Sequence, residues 1–314
     1  MIGKSLLALC LVCAPAFAEP AGSGAGSGAN EHARVELAPS GHAFKQLQID
    51  NPLGDVKVEG YDGTAILIET HKHAPDEETL ERLRVSLVPN PDGTVHITTM
   101  ADKNLEAKPV AASAVRIDLV IRAPRDARVD ASVASGKLEL VNMDAGGELD
   151  SASGPLSVRN VQGEVVTHSV SGPMTLAQVF GSVDAATVSS DVDLDTIGGE
   201  KLIASAHHGR IAGRRVRARD IELTTTEGKI MLEAEAALHG HLVVSSLRGD
   251  VEVHLHRHGA VFLRARGSKV DLGQQQTVHP QPNGWSETTI GQGEHPALVE
   301  LRSTYGMVQF TVVE

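Results

Sequence analysis

Cysteine is almost absent from this 314-residue chain. The two that occur, Cys10 and Cys13, both lie within the first 18 residues. A chain that begins after those residues has no thiol, so disulfide bonds, thiolate metal sites and cysteine nucleophiles are excluded from it. Its stability must then come from packing and from backbone hydrogen bonds.

Aromatic residues and positive charge are also scarce. The chain has one Trp, two Tyr and five Phe, so it offers few of the platforms on which sugars stack. Its 28 basic residues are outnumbered by 40 acidic ones, which gives a net charge of −12. This balance disfavours nucleic acid and anionic lipid as partners, because both are bound through positive charge.

Several motifs that carry enzyme chemistry are missing. The sequence contains no Gly-x-Ser-x-Gly elbow, no phosphate-binding loop and no His-Glu-x-x-His motif. The sequence therefore predicts no catalytic residues, no cofactor and a protein that is not an enzyme.

The N-terminal residues have the pattern of a secretory signal. Lys4 provides a positive start, Leu6 to Ala14 form an apolar run, and Ala16-Phe17-Ala18 gives a small-x-small cleavage pattern. No later segment approaches the roughly 20 apolar residues of a membrane-spanning helix. The sequence predicts a signal over residues 1–18 and an exported protein, in the periplasm, at the cell surface or outside the cell, that does not span a membrane.

From about residue 129 onward, the chain repeats at intervals of 18 to 21 residues, with one doubled interval near its end. Each unit has a Gly or Ser mark followed by an alternating apolar pair, as in Ser135-Gly136-Lys137-Leu138-Glu139-Leu140. A fixed period of this length indicates units that bury their apolar faces only by stacking on one another. The marks are Gly136, Gly154, Gly172, Ser190, Gly209, Gly228, Gly249, Ser268 and Gly306.

Apolar residues alternate on both sides of each mark, and their parity changes at the mark. Because alternate side chains of a strand share a face, this change predicts a corner between two sheet faces. The predicted core includes a column two residues after the mark: Leu138, Leu156, Met174, Val192, Ile211, Ile230, Val251, Val270 and Val308.

The pattern predicts an all-β fold, a parallel β-solenoid with rungs of about 18–21 residues that extends over residues 44–314. An N-terminal insertion is expected to hold a short helix within Pro75 to Leu83. Residues 19–43, which are rich in Gly, Ser and Ala, are interpreted as a flexible tether. Gln275 to Gly293 breaks the period and is expected to loop out.

The strand Ile117-Asp118-Leu119-Val120-Ile121 and the repeated Ser-Gly units after it resemble the DUF4097 family of bacterial secreted and envelope proteins, also called an adhesin domain. The resemblance covers about Phe44 to Glu314. It implies a parallel β-solenoid in the bacterial cell envelope and a non-catalytic, adhesin-like binding module that uses its exposed faces. The partner is not identified, and a cell-envelope or surface glycan or protein fits this interpretation.

Two alternatives remain open. One is a carbohydrate-active β-solenoid that acts on acidic glycans, in which a basic run meets the glycan near Asp191 and Asp195. The other is a periplasmic envelope-stress scaffold, since some family relatives are associated with such systems. The basic run consists of Arg210, Arg214, Arg215, Arg217 and Arg219.

The densest histidine group is the strongest candidate for a metal site. His254, His256 and His258 share one face of a strand if the residues between them point inward, and Glu233 and Glu235 belong to the preceding rung. Imidazole and carboxylate on adjacent rungs could bind zinc or nickel. The alternative is an exposed polar ladder without a metal.

The segment Asp191-x-Asp193-x-Asp195 has the spacing of a calcium loop. However, Thr196 occupies the sixth position, where such a loop requires Gly. The sequence instead predicts ion pairs between these carboxylates and Arg210 and Arg214.

Overall fold

The structure, a computed structural model, describes residues 28–39, 43–101, 114–273 and 279–313. The predicted signal over residues 1–18 lies outside the described residues. The described part of the chain forms 25 β-strands and one helix of four residues, so the predicted all-β class is confirmed.

The elements follow one another along the chain with short connections. In order they are β1 Ala29–Leu37, β2 Gln46–Asn51, β3 Val56–Tyr61, β4 Ile66–Ala74, α1 Glu77–Leu80, β5 Leu83–Pro89, β6 Thr94–Ala101, β7 Arg116–Pro124, β8 Arg128–Val133, β9 Leu138–Val141, β10 Gly147–Ser151, β11 Leu156–Gln162, β12 Val165–Ser169, β13 Met174–Phe180, β14 Val183–Thr187, β15 Val192–His208, β16 Ile211–Glu227, β17 Ile230–Ala236, β18 His241–Ser246, β19 Val251–Arg257, β20 Val261–Arg266, β21 Lys269–Asp271, β22 His279–Pro280, β23 Ser286–Ile290, β24 Ala297–Ser303 and β25 Met307–Val313.

Most strands belong to one of two parallel stacks. The first stack runs in the order β6, β2, β8, β10, β12, β14, β15, β16, β18, β24 and β20. The second stack runs in the order β7, β3, β9, β11, β13, β15, β16, β17, β19, β25 and β21. The long strands β15 and β16 contribute to both stacks.

The complete sheet is mixed, which corrects the purely parallel prediction. Strands β5, β4 and β1 pair antiparallel near the N-terminal end of the stacks. Within the segment expected to loop out, β23 pairs antiparallel with β20, and β22 pairs antiparallel with β23. Antiparallel strands need only short connections, so local hairpins can cover the ends of a parallel stack.

The strand register matches the repeat columns read from the sequence. Ile211 pairs with Ile230, Ile230 with Val251, and Val251 with Val308. All four side chains are 0% exposed. The predicted column is therefore a continuous line of core residues within the second stack.

The order of the last rungs differs from their order along the chain. The sequence suggests that the rung containing Val270 follows the rung containing Val251, whereas the structure places Val308 between them. The C-terminal strand β25 thus has a neighbour on each side, and its Phe310 is fully buried. The hairpin of β22 and β23 lies between β21 and β25 along the chain, and it allows the chain to return to the position between β19 and β21.

Glycine at the corner is required by the close approach of successive rungs. A Cβ atom added to Gly249 would lie 1.5 Å from the carbonyl oxygen of Gly228, and one added to Gly228 would lie 1.9 Å from that of Gly209. These distances leave no room for a side chain directed at the neighbouring backbone. At these two marks glycine is therefore a packing requirement.

The N-terminal part of the described chain differs from the sequence interpretation. Ala29–Leu37, inside the range assigned to a tether, forms β1 and pairs in full register with Ile66–Ala74. The antiparallel ladder supplies the hydrogen bonds that order a segment with few buried side chains. The short predicted helix is confirmed at Glu77–Leu80, where the side chain of Asp76 accepts a hydrogen bond from the backbone of Thr79 at 2.7 Å.

The core column can be tested with Val251→Asp. We expect this change to lower the free energy of unfolding by at least about 3 kcal/mol, because it places an uncompensated charge between two buried strands. Thermal melting followed by circular dichroism measures the effect. The matched control is Val243→Asp, since Val243 is 37% exposed on β18; equal melting of both variants would show that the column is not the core.

Candidate binding groove

A groove of about 530 Å³ runs along one corner of the fold. It follows the ends of β2, β8, β10, β12 and β14, which are five successive strands of the first stack. Its lining includes four apolar side chains, each one position beyond the buried end of a strand, which we call the floor of the groove: Ala134, Ala152, Val170 and Val188. We call this feature the corner groove.

Buried hydroxyl residues set the shape of the corner. The Oγ of Ser169 donates a hydrogen bond to the carbonyl of Gly172 at 2.7 Å and accepts one from its N–H at 3.0 Å. Ser151 donates in the same way to Gly154 at 2.7 Å. These bonds hold the chain in a tight bend, so the residue after each hydroxyl is directed to the outside.

The backbone along the corner groove is already hydrogen-bonded from rung to rung. Val170 N–H donates to the carbonyl of Ser151, and Val188 N–H donates to that of Ser169, both at 3.1 Å. Ala152 N–H donates to Val133 in the same manner. A ligand in the groove therefore cannot be held as an added strand, and side chains must supply the contacts.

The floor of the corner groove exposes apolar surface. Val170 is 54% exposed and Val188 is 46% exposed, and they occupy equivalent positions on neighbouring rungs. Concave apolar surface of this kind is typical of ligand sites, which add a few polar groups for orientation.

Acidic side chains form the polar part of the groove. Asp50, Asp150 and His168 line it, and the Nδ1 atom of His168 lies 3.1 Å from a carboxylate oxygen of Asp150. Glu148, two residues before Asp150 on the same strand, has a ligand atom within 4.8 Å of both. The rim therefore carries negative charge beside one imidazole.

The predicted histidine group is divided into separate pairs. His254 lies 3.1 Å from Glu252, His256 lies 3.6 Å from Glu233, and His258 lies 3.5 Å from Glu235. His254 and His256 lie at partly exposed positions of β19, and His258 follows the end of that strand. The two glutamates of the preceding rung lie on β17. Binding of zinc or nickel by this group stays a prediction.

Among the residues that the structure describes, two other groups bring three potential ligand atoms within 4.8 Å of one another. One is Glu148, Asp150 and His168 at the corner groove. The second is His32, Glu69 and His71, on β1 and β4.

The chain was compared with known proteins. Residues 82–299 match the family described as Toastrack DUF4097. The chain belongs to the DUF4097 family.

Solved structures similar to this DUF4097 protein share little sequence with it. A "putative adhesin" from Parabacteroides merdae has 11% identity and a TM-score of 0.46, and covers 93% of this chain and 98% of its own. A "putative lipid binding protein" from Parabacteroides distasonis has 11% identity, a TM-score of 0.43 and the same coverages. A "putative cell adhesion protein" from Clostridium sporogenes has 10% identity and a TM-score of 0.27, with coverages of 91% and 100%. No curated protein matches the chain.

Helices contribute little to the described part of this DUF4097 protein. In those residues, no helix has both the length and the apolar character needed to cross a membrane.

The three aspartates at the start of β15, of which Asp191 immediately precedes the strand, form ion pairs in this DUF4097 protein. Arg210 contacts Asp193 at 3.2 Å and donates its backbone N–H to Asp191 at 2.8 Å. Asp195 is held by Arg215, whereas the sequence predicted Arg214. Arg214 is directly opposite Asp195 in the strand register, but the ion pair is formed by the next residue, Arg215.

The basic run is also largely paired with carboxylates. In addition to Arg210 and Arg215, Arg217 pairs with Glu235 at 2.5 Å, and Arg219 lies 3.6 Å from Glu200. These local pairs reduce the positive field that an acidic glycan would require.

Two glutamates beside the histidines have lowered pKa values. A hydrogen bond from Lys229 and a second from His254 hold the pKa of Glu252 below its ordinary range. For Glu235, burial opposes ionisation, but hydrogen bonds from Arg217 and His258 outweigh it and lower the pKa. Both groups are therefore carboxylates that the fold stabilises in the charged form.

The corner groove was not predicted, although its signal is present in the sequence. Ala134, Ala152, Val170 and Val188 recur every 18 residues, as do Asp150 and His168. An apolar column directed outward looks the same in sequence as a core column, because only the bend at the corner decides its direction.

The ion pairs of Glu252 can be tested by Glu252→Gln. Because the pKa of Glu252 is lowered by folding, its carboxylate stabilises the fold above its unfolded pKa, and this contribution is lost as the pH falls through the folded pKa. We expect the variant to be less stable than the wild type by up to about 1 kcal/mol near neutral pH, and we expect this difference to shrink as the pH falls below the ordinary Glu pKa of about 4.3. Urea unfolding at a series of pH values measures the difference. Glu222→Gln, at an exposed position of β16, is the control; a pH-independent difference would contradict the assignment.

Proposed function

We propose that this protein is a non-catalytic, adhesin-like binding module of the bacterial cell envelope, and that its corner groove holds an extended segment of a protein ligand. The observation that carries the proposal is the exposed apolar floor at Val170 and Val188 beside the acidic rim. Apolar side chains of the ligand would occupy the floor, and basic side chains would meet Asp50 and Asp150.

We also propose that the two parallel stacks together form a β-solenoid, which serves as a rigid scaffold. Strand partners recur at the repeat period, as in Val165 with Val183 and Ile211 with Ile230. A stack of this kind presents equivalent positions at regular spacing, which suits an elongated ligand.

The dimensions of the corner groove fit a short extended peptide. Five strands spaced at about 4.8 Å give a length of about 19 Å. An extended chain rises about 3.3 Å per residue, so about six residues would occupy the groove. The net charge of −12 supports a ligand with basic residues over an acidic one.

The carbohydrate-active alternative has less support. The lining of the corner groove contains no Trp, Tyr or Phe on which a sugar ring could stack. The arginines expected to meet an acidic glycan pair with nearby carboxylates instead. An envelope-stress scaffold would use the same groove, and cellular location distinguishes it from an adhesin.

Peptide binding tests the corner groove directly. The probe is a fluorescein-labelled decapeptide of alternating lysine and valine, and fluorescence anisotropy measures its affinity. We expect Val188→Lys to weaken binding at least about tenfold, because it removes an apolar contact and repels the cationic probe. Val243→Lys is the matched control, since it adds the same charge at an exposed valine of β18 and is expected to change the affinity less than about twofold.

Two comparison ligands make the outcome decisive. A glutamate–valine decapeptide is expected to bind more weakly than the lysine probe, and polygalacturonate is expected not to bind. Saturable binding of polygalacturonate without binding of the lysine peptide would favour the glycan alternative. Equal loss of affinity for the lysine probe in Val188→Lys and Val243→Lys would show that the groove is not the binding site.

The location proposed for this protein follows from its N-terminal residues. The signal pattern over residues 1–18 supports export.

Protease treatment of cells tests this location. If the protein is an adhesin, we expect digestion on intact cells, with no further loss after the outer layer is permeabilised. Immunoblotting measures the remaining protein, and a cytoplasmic protein is the control for lysis. Protection that ends only on permeabilisation would contradict the adhesin proposal and favour the periplasmic scaffold.

A further inference from the structure

A cluster of histidines and one glutamate lies on the outer face of β1 and β4, away from the corner groove. His32 and His71 are directly opposite each other in the antiparallel ladder, and Glu69 lies two residues before His71 on the same face. The ligand atoms of the three side chains all lie within 4.8 Å of one another. Register therefore brings together residues that are widely separated in sequence.

The two imidazole rings are stacked. Their centroids are 4.4 Å apart and their planes differ by 16°. Because the nitrogen lone pairs lie in the ring planes, these nearly parallel rings must rotate before both can direct a nitrogen atom to one cation. Two imidazoles and one carboxylate form a donor set that suits zinc, which leaves the fourth tetrahedral position open.

The groups around the cluster are engaged in other contacts. Asp118, opposite His71 on β7, accepts two hydrogen bonds from Arg116 at 3.1 and 3.2 Å and one from the backbone of Asp55. His73 contacts Asn30 at 2.6 Å. Arg34 competes for the cluster, because it forms an ion pair with Glu69.

We propose that His32, Glu69 and His71 form a zinc site that joins β1 to the rest of the sheet. Zinc binding would shift Glu69 from Arg34 to the metal. In a tetrahedral site the ligand atoms lie about 3.3 Å apart. His32 and His71 are exposed and Glu69 is partly exposed, so side-chain rotation can close the present separation without movement of the strands. Since β4 is the strand with which β1 pairs in the described sheet, the metal would anchor the first described strand.

Calorimetric titration of the untagged protein with zinc chloride near neutral pH tests this site. We expect His32→Gln and His71→Gln each to weaken the binding at least tenfold. His73→Gln is the matched control, because His73 lies on the same face of β4 and is bonded to Asn30; it is expected to leave the affinity unchanged. Arg34→Gln is expected to tighten binding about threefold or more, because it releases Glu69.

A second readout separates this site from zinc held elsewhere on the protein. Zinc is expected to slow amide hydrogen exchange in residues 29–37 of the wild type but not of His71→Gln. Zinc binding that is equal in His32→Gln, His71→Gln and His73→Gln would overturn the site. If zinc binding is lost in both His32→Gln and His71→Gln but the zinc affinity of Arg34→Gln equals that of the wild type, Glu69 is not a ligand.

Discussion

The fold depends on backbone hydrogen bonds between successive rungs. These bonds hold the rungs at the spacing of neighbouring strands, at the corners as well as along the strands. Gly228 and Gly249 approach so closely that a Cβ atom at the second would collide with the carbonyl oxygen of the first. The glycine mark, the buried hydroxyls beside it and the valine and isoleucine columns all follow from this spacing. A side chain that increased the spacing at one corner would break the register of both stacks.

The same corner creates the candidate site. Because Ser169 and its equivalents bend the chain inward through hydrogen bonds to the following glycine, the next residue must face solvent. In two rungs that residue is valine, and the result is apolar surface on a backbone whose N–H groups at Ala152, Val170 and Val188 are bonded to the preceding rung. Specificity at such a site must come from side chains, of which Asp50, Asp150 and His168 are the polar ones.

Charge on the remaining faces is mostly balanced between neighbouring rungs. Arg210, Arg215 and Arg217 pair with carboxylates one rung away, and the histidines of β19 pair with glutamates. These exposed pairs contribute little stability individually, but they favour one register over its alternatives. Asp150 at the rim of the groove and Glu69 in the histidine cluster on β1 and β4 are paired in the same way, with His168 and Arg34.

The sequence by itself determined the all-β class, the period and the core columns, because stacked rungs require the same small or apolar residue at the same position in each turn. The sequence left the direction of His254 and His256 conditional on Val253 and Leu255 pointing inward, and the structure shows both of these residues buried. Only the tertiary structure decided the insertion of β25 between β19 and β21, the pairing of β1, and the meeting of His32 with His71. These features join segments distant in the chain, and a local repeat pattern has no information about which distant strand fills a free edge.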